Sequence, residues 1–273
     1  MEFIVVGNFD DVDDPVKTEY TIFKQLTNIA EALETPYVYV GMPIAFLINK
    51  TGIHRTQELI DTICNNHQNR KLFFVCQHIK VNQLNFHDHL VFTPHATILD
   101  SYMPLPHYSC NYDESYAKSW EEREYTFSFM GSFNTHPVRR KIYEHLGKRE
   151  DCLVVDTGAW HFENPTDAQQ HNRREYIQLL GNTKYSLCPR GTGPSSIRIW
   201  EAMAMSSIPI IVSDFLQMPL EREISTTTWL RIPELFNIQH LDFIETSVQS
   251  YSNKEYVQNF ANTELYRSIT HNL

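Results

Sequence analysis

The chain has 273 residues, 42% of them hydrophobic and 21% charged, with 9 Gly, 13 Pro and a formal charge of −10. That length and apolar share suffice for one large or two compact globular domains, and they exclude disordered and fibrous classes. The acidic balance argues against a general nucleic-acid binder, because such a surface repels a phosphate backbone. Phe3–Gly7 predicts a buried strand, and Pro15–Leu33 a helix with Ile22, Leu26, Ile29 and Leu33 on one stripe. Tyr37–Met42 predicts a strand, Arg55–Cys64 a helix, and Leu72–Cys76 and Leu90–Thr93 two further strands. Residues 104–124, with two prolines and the charged run Glu121–Glu124, read as a linker or as a long surface loop within one domain.

The alternation then restarts. Thr126–Met130 predicts a strand closed by Gly131, and Pro137–Leu146 a helix with Pro in its first turn. Cys152–Val155, Tyr185–Cys188 and Ile208–Val212 are strand candidates, separated by helices at Asn172–Leu180 and Ser195–Met205. Lys254–Ile269 reads as a terminal helix. Strands alternating with helices predict an α/β protein with parallel sheets, built as two successive halves at 1–124 and 125–252 and ended by a helix at 253–273. The five cysteines form no Cys-x-x-Cys pair, which fits reduced thiols. No stretch approaches ~20 apolar residues, and the N-terminus lacks a basic leader, so the expectation is a cytoplasmic chain with no membrane span.

Tyr185–Asp214 carries the densest chemistry: a strand, the loop Pro189-Arg190-Gly191-Thr192-Gly193-Pro194, a helix opened by Ser195 and Ser196, and another strand. A helix start with free N–H groups, flanked by Arg190 and Arg198, suits phosphate oxygens. Arg198 and Glu201, three residues apart, share a side of that helix. Two readings stay open at this point. Glu201 accepts ribose hydroxyls below a bound diphosphate, or it merely pairs with Arg198 on a capped helix. A Walker-A loop is excluded because its lysine is absent, and a G-x-G-x-x-G is missing after the first strand.

These residues resemble the donor-binding half of the exostosin-like glycosyltransferases, family 47. The segments concerned are Tyr185-Ser-Leu-Cys-Pro-Arg-Gly191, Ser196-Ile-Arg-Ile-Trp-Glu-Ala202, and Ile208-Pro-Ile-Ile211 with Asp214. Phe127–Gly131 with Arg139 and Arg140, Met218-Pro-Leu-Glu221 and Trp229-Leu-Arg-Ile-Pro-Glu234 extend the likeness over residues 124–240. Phe73–His78 matches a family strand ending in His-Asp less well, since position 79 is Ile. The resemblance implies a GT-B fold, with two Rossmann-like domains facing a central cleft, in a compact member without stem or anchor, as a microbial or viral enzyme would be.

It further implies inverting transfer from a nucleotide-sugar to a hydroxyl of a glycan acceptor. The donor would be a UDP-sugar, with UDP-xylose the first candidate. Gly131, Arg139, Arg190, Gly191, Ser195, Ser196, Arg198, Glu201 and Asp214 would form the nucleotide-sugar site, with Arg140 as an alternative to Arg139. The first half would serve the acceptor and supply a general base, for which Asp13, Asp14 and His78 are the candidates. The arginines replace a metal, so no obligatory cofactor or cation is expected, although Asp11-Val-Asp13 has the form of a metal-binding Asp-x-Asp.

Two other classes compete. One is a non-catalytic sugar-nucleotide or glycan-binding module that lacks the base. The other is a metal-dependent hydrolase using His78, His87, His89 and His95, where His87-x-His89 places two imidazoles on one strand face. Tyr102, Tyr108, Tyr112, Tyr116 and Trp120 either stack on acceptor sugars or pack beneath the linker.

Overall fold

The computed structural model describes residues 1–9, 17–158, 167–219, 221, 229–247, 267–270 and 272–273. Asp13 and Asp14, and all of the expected terminal helix before Arg267, lie outside the described residues. Two compact units emerge. One takes its described residues from Met1–Tyr108, Phe215–Glu221 and Thr263–Leu273, the other from Ser109–Asp214 and Arg222–Asn262.

Unit 1 contains β1 (Glu2–Val5), α1 (Thr18–Ile29), β2 (Tyr37–Gly41), α2 (Ile44–Thr51), α3 (Ile53–Asn66), β3 (Lys71–Val75), β4 (Leu90–Thr93) and β5 (Met103–Pro104). Its strands run parallel in the order β1-β2-β3-β4-β5. Side chains alternate across the sheet, so each strand serves two cores. Val38, Val40, Leu72, Phe74 and Val91 meet Ile44, Ile48, Ile60 and Ile63 of α2 and α3. Tyr39, Phe73, Val75 and Phe92 instead meet Ile22 and Leu26 of α1. Ile269 joins that second core, on the last helix, α8 (Arg267–Thr270).

Unit 2 contains β6 (Tyr125–Met130), α4 (Pro137–Leu146), β7 (Cys152–Val155), α5 (Asp167–Gly181), β8 (Thr183–Pro189), α6 (Arg198–Ala204), β9 (Ile208–Val212), β10 (Leu230–Ile232) and α7 (Ile238–Ser247). All five strands are parallel, in the order β10-β9-β8-β6-β7. The chain therefore steps from β6 to β7, returns past β6 to β8, and continues the other way. That reversal leaves a crevice beyond the carboxyl ends of β6 and β8, where parallel sheets bind ligands.

The division falls at Tyr108/Ser109, ahead of the expected 124/125 boundary. Residues 109–124 are bound to unit 2, which is why they are not a linker. Arg123 is buried and donates from Nη2 to Met205 O at 2.8 Å, and Lys118 N donates to Gly181 O at 3.0 Å. Residues 215–217 return to unit 1, where Ile98 N donates to Phe215 O at 3.0 Å and Gln217 N to Ala96 O at 2.9 Å. Among the described residues, no helix is long and apolar enough to cross a membrane.

His95 and His107 follow β4 and β5, and their rings meet edge to face at 5.2 Å. Burial holds His95 down at about 4 and pushes His107 well below the ordinary imidazole range. Both are neutral in the fold, whereas the unfolded rings gain protons below about pH 6.5. Stability therefore falls as pH drops from about 6.5 towards 4, by up to ~1.4 kcal/mol per pH unit for each ring. Urea melts across this range should show that slope, and His95→Gln should reduce it. An unchanged slope in the variant would contradict a buried neutral ring.

Candidate functional site

Three arginines converge beyond the carboxyl ends of β6 and β8. Arg198 opens α6, is only 8% exposed, and donates from Nη2 to Met130 O at the end of β6. Its guanidinium lies 4.4 Å from the Phe129 ring centroid and 5.3 Å from that of Tyr176. Arg139, on α4, donates from Nε to Arg190 O and from Nη1 to Ser132 O, both at 3.0 Å. The two strand-end loops can approach this closely because each carries a glycine. A Cβ at Gly131 would sit 2.9 Å from Arg198 Nη2, and one at Gly191 would sit 2.9 Å from Arg139 Nη2.

The electrostatics are unbalanced. Burial, then the neighbouring Arg198, pushes Arg139 down to about 9, still charged at neutral pH. Among the described residues neither Arg139 nor Arg198 has a carboxylate within ion-pair distance; Arg190 reaches Glu234 Oε1 at 3.4 Å. Arg190 Nε and Arg198 Nε are buried and make no hydrogen bond among the described residues. Buried guanidinium groups held without counter-charge are costly, and an anion with several oxygens relieves that cost.

Glu201 is not the partner of Arg198. It is 1% exposed, accepting at Oε1 from Asn111 Nδ2 at 2.6 Å and Asn111 N at 3.2 Å, and at Oε2 from the Tyr176 hydroxyl at 2.6 Å. Burial raises its pKa while these donors oppose the rise. Both oxygens are thus engaged within the chain, so neither the Arg198 pairing nor an open ribose-binding carboxylate describes this conformation. The helix start also differs from expectation. Ser195 and Ser196 precede it, the cap is Ile197 without a side-chain bond, and α6 spans seven residues rather than Ser195–Met205. Ile199 N→Ser196 O and Trp200 N→Ile197 O first close tighter three-residue turns. Such a short helix adds little dipole, and the arginines carry the positive field.

Asp214 stands exposed after β9. Its Oδ1 accepts from Glu234 N at 2.8 Å, and its N donates to Glu234 Oε1 at 3.2 Å. In unit 1, His78 sits past the end of β3 with both ring nitrogens occupied. Nε2 contacts Asn49 Oδ1 at 3.2 Å, and Nδ1 accepts from Lys80 N at 3.0 Å. Burial and Lys80 lower its pKa. Glu19 and His107, absent from the sequence reading, are buried in the same unit. Glu19, 4% exposed, accepts from Gln77 N at 2.8 Å and Ala45 N at 3.2 Å, with His95 and His107 at the neighbouring strand ends.

The His87-x-His89 pair does not line a strand face. His87 lies in a turn with φ +55° and contacts Asp61 Oδ1 at 2.9 Å, while His89 Nδ1 accepts from Leu72 N. Among the described residues no group of three or more His, Cys, Asp or Glu could hold a metal ion. Of the linker aromatics, Trp120 packs edge to face on Tyr185 at 5.4 Å and Tyr102 on Phe86 at 6.5 Å, while Tyr116 remains exposed.

A family model described as Exostosin GT47 domain matches residues 54–248. Among curated proteins, an Exostosin-1 homolog of Caenorhabditis elegans is 27% identical over 145 residues, covering 46% of this chain and 38% of that protein. Exostosin-1 of Drosophila melanogaster is 27% identical over 113 residues, covering 37% and 15%. Ribitol-5-phosphate xylosyltransferase 1 of Danio rerio is 27% identical over 94 residues, covering 33% and 21%. The chain thus spans well under half the length of each of these relatives. Solved structures of a GtfA/B complex and of TarM align at 10% identity, each with a TM-score of 0.35. They cover 93% and 92% of this chain, and 57% and 55% of those chains. The fold class rests instead on the two parallel sheets themselves.

Tyr176→Phe removes a hydrogen bond to the buried Glu201 carboxylate and should destabilise unit 2 by about 1.5–3 kcal/mol. Urea unfolding of wild type and variant checks this, and equal midpoints would show the bond to be dispensable.

Proposed function

The chain belongs to the exostosin GT47 family, and from that premise we propose that it is an inverting glycosyltransferase that moves a sugar from a UDP-sugar to a hydroxyl of a glycan acceptor. One observation carries the donor half of this reading: Arg198, buried, and Arg139, half-buried, at the reversal of the unit 2 sheet have no carboxylate at ion-pair distance among the described residues. A diphosphate supplies the missing charge, with oxygens for the unpartnered Nε atoms of Arg190 and Arg198. As the glycosidic bond breaks, charge grows on the leaving diphosphate, and fixed guanidinium groups stabilise it without reorganising. Gly131 and Gly191 keep the loops close, Ser195 and Ser196 line the approach to α6, and Asp214 faces the donor sugar. In the conformation described, a ribose reaches Glu201 by displacing a donor on one of its oxygens, Asn111 on Oε1 or Tyr176 on Oε2.

An inverting transfer also needs a base on the acceptor hydroxyl. Asp13, Asp14 and His78 remain its candidates, and His78 must release a ring nitrogen to act. UDP-xylose is the first donor to test, a choice supported only by the xylosyltransferase named among the relatives. A cytoplasmic setting is supported by five cysteines that form no disulfide.

Arg198→Ala should keep the fold and lower the transfer rate by about 30- to 900-fold, the loss of about 2–4 kcal/mol of transition-state stabilisation. Sugar transfer from a panel of UDP- and GDP-sugars, followed by NMR, measures this. Wild-type turnover in the variant would remove Arg198 from the site. With arginines as the counter-charge, activity should persist in EDTA; loss in EDTA with recovery in manganese would instead require a metal.

A further inference from the structure

Glu234 lies two residues beyond β10 and ties three separate elements together. Its Oε1 accepts from Arg190 Nη1 at 3.4 Å, in the loop after β8, and from Asp214 N at 3.2 Å, after β9. Its own N–H returns a bond to Asp214 Oδ1 at 2.8 Å. The second oxygen, Oε2, lies 3.8 Å from His136 Nε2. His136 in turn caps α4, accepting from Val138 N through Nδ1 at 3.3 Å.

This arrangement is more than a surface ion pair, whose worth is small. The reciprocal bonds with Asp214 fix the Glu234 backbone, so the carboxylate is aimed by the fold rather than by attraction alone. Arg190 is held at both ends: its carbonyl by Arg139 Nε at 3.0 Å, its guanidinium by Glu234. Its buried Nε is left without a partner. Two of the four residues, Asp214 and Arg190, have been assigned here to the donor. Glu234 touches both of them, and His136 reaches them only through Glu234.

We propose that Glu234 is a positioning residue for the donor: it holds Arg190 and Asp214 in fixed relation to the Arg139–Arg198 pair, so that one rigid frame meets both the diphosphate and the sugar. This inference rests on the donor reading above. The carboxylate itself stays off the ligand, where its charge would repel phosphate. Its contribution is preorganisation, and small displacements of such groups are expensive.

The test is UDP binding by calorimetry to wild type, Glu234→Ala and Glu234→Gln, combined with NMR titration of the His136 ring. Four influences act on that ring. In order they are burial and Arg190, which lower its pKa, Glu234, which raises it, and Arg139, which lowers it. Glu234→Ala should weaken UDP binding about tenfold and move the His136 midpoint to lower pH. Glu234→Gln keeps an acceptor for Asp214 N and Arg190 and should recover most of the affinity, which also separates positioning from misfolding. Wild-type affinity in the Ala variant, or no recovery in the Gln variant, would overturn the proposal. Failure of the wild type to bind UDP would instead overturn the donor reading, and an unmoved His136 midpoint would then dismiss the Glu234 frame on its own.

Discussion

Two guanidinium groups, Arg198 buried and Arg139 half-buried, with no carboxylate at ion-pair distance among the described residues, are the constraint on which unit 2 depends. Like charges in a low-dielectric setting repel, and Arg139 registers this in a pKa pushed down to about 9, by burial first and by Arg198 second. The surroundings offset part of the cost with groups that carry no charge. Arg139 is held by the carbonyls of Arg190 and Ser132, and Arg198 by that of Met130 and by the aromatic faces of Phe129 and Tyr176. Carbonyls and rings stabilise a cation without neutralising it. The site therefore keeps its positive potential inside a chain whose formal charge is −10.

That arrangement explains features that otherwise look unrelated. Gly131 and Gly191 lack side chains because guanidinium nitrogens occupy the space. Glu201, one turn along α6 from Arg198, feels that charge but forms no ion pair with it, because Asn111 and Tyr176 take its oxygens. The segment 109–124 belongs to unit 2 for the same reason: Asn111 is needed at Glu201, and Arg123 at Thr183 O and Met205 O. A carboxylate so engaged shapes the site from behind.

Much of this was legible in the sequence. Short continuous apolar runs located the central strands, because strands buried on both faces read as unbroken hydrophobic segments. The glycines, arginines and Asp214 are singled out by motifs resembling the family's, taken in their order along the chain. What escaped was set by tertiary contact. Ile44–Thr51 carries no element predicted from the sequence, yet Pro43 and Gly52 bound it as a helix. Ser195 and Ser196 have the composition of helix caps, but the helix begins only at Arg198. Glu234 sits in a matched motif without any local sign that its carboxylate reaches three other elements. Glu19 and Gln77 are 58 positions apart, and only the meeting of α1 with the end of β3 joins them.

The central claim is that the unpartnered arginine nitrogens meet a diphosphate. The most direct measurement is a 15N–1H titration of the arginine Nε–H signals with UDP, assigned by single Arg→Lys substitutions. The account predicts that the Arg198 and Arg190 Nε–H resonances move together and saturate at one equivalent of UDP. UDP binding that leaves both resonances unmoved would place the nucleotide elsewhere and contradict it.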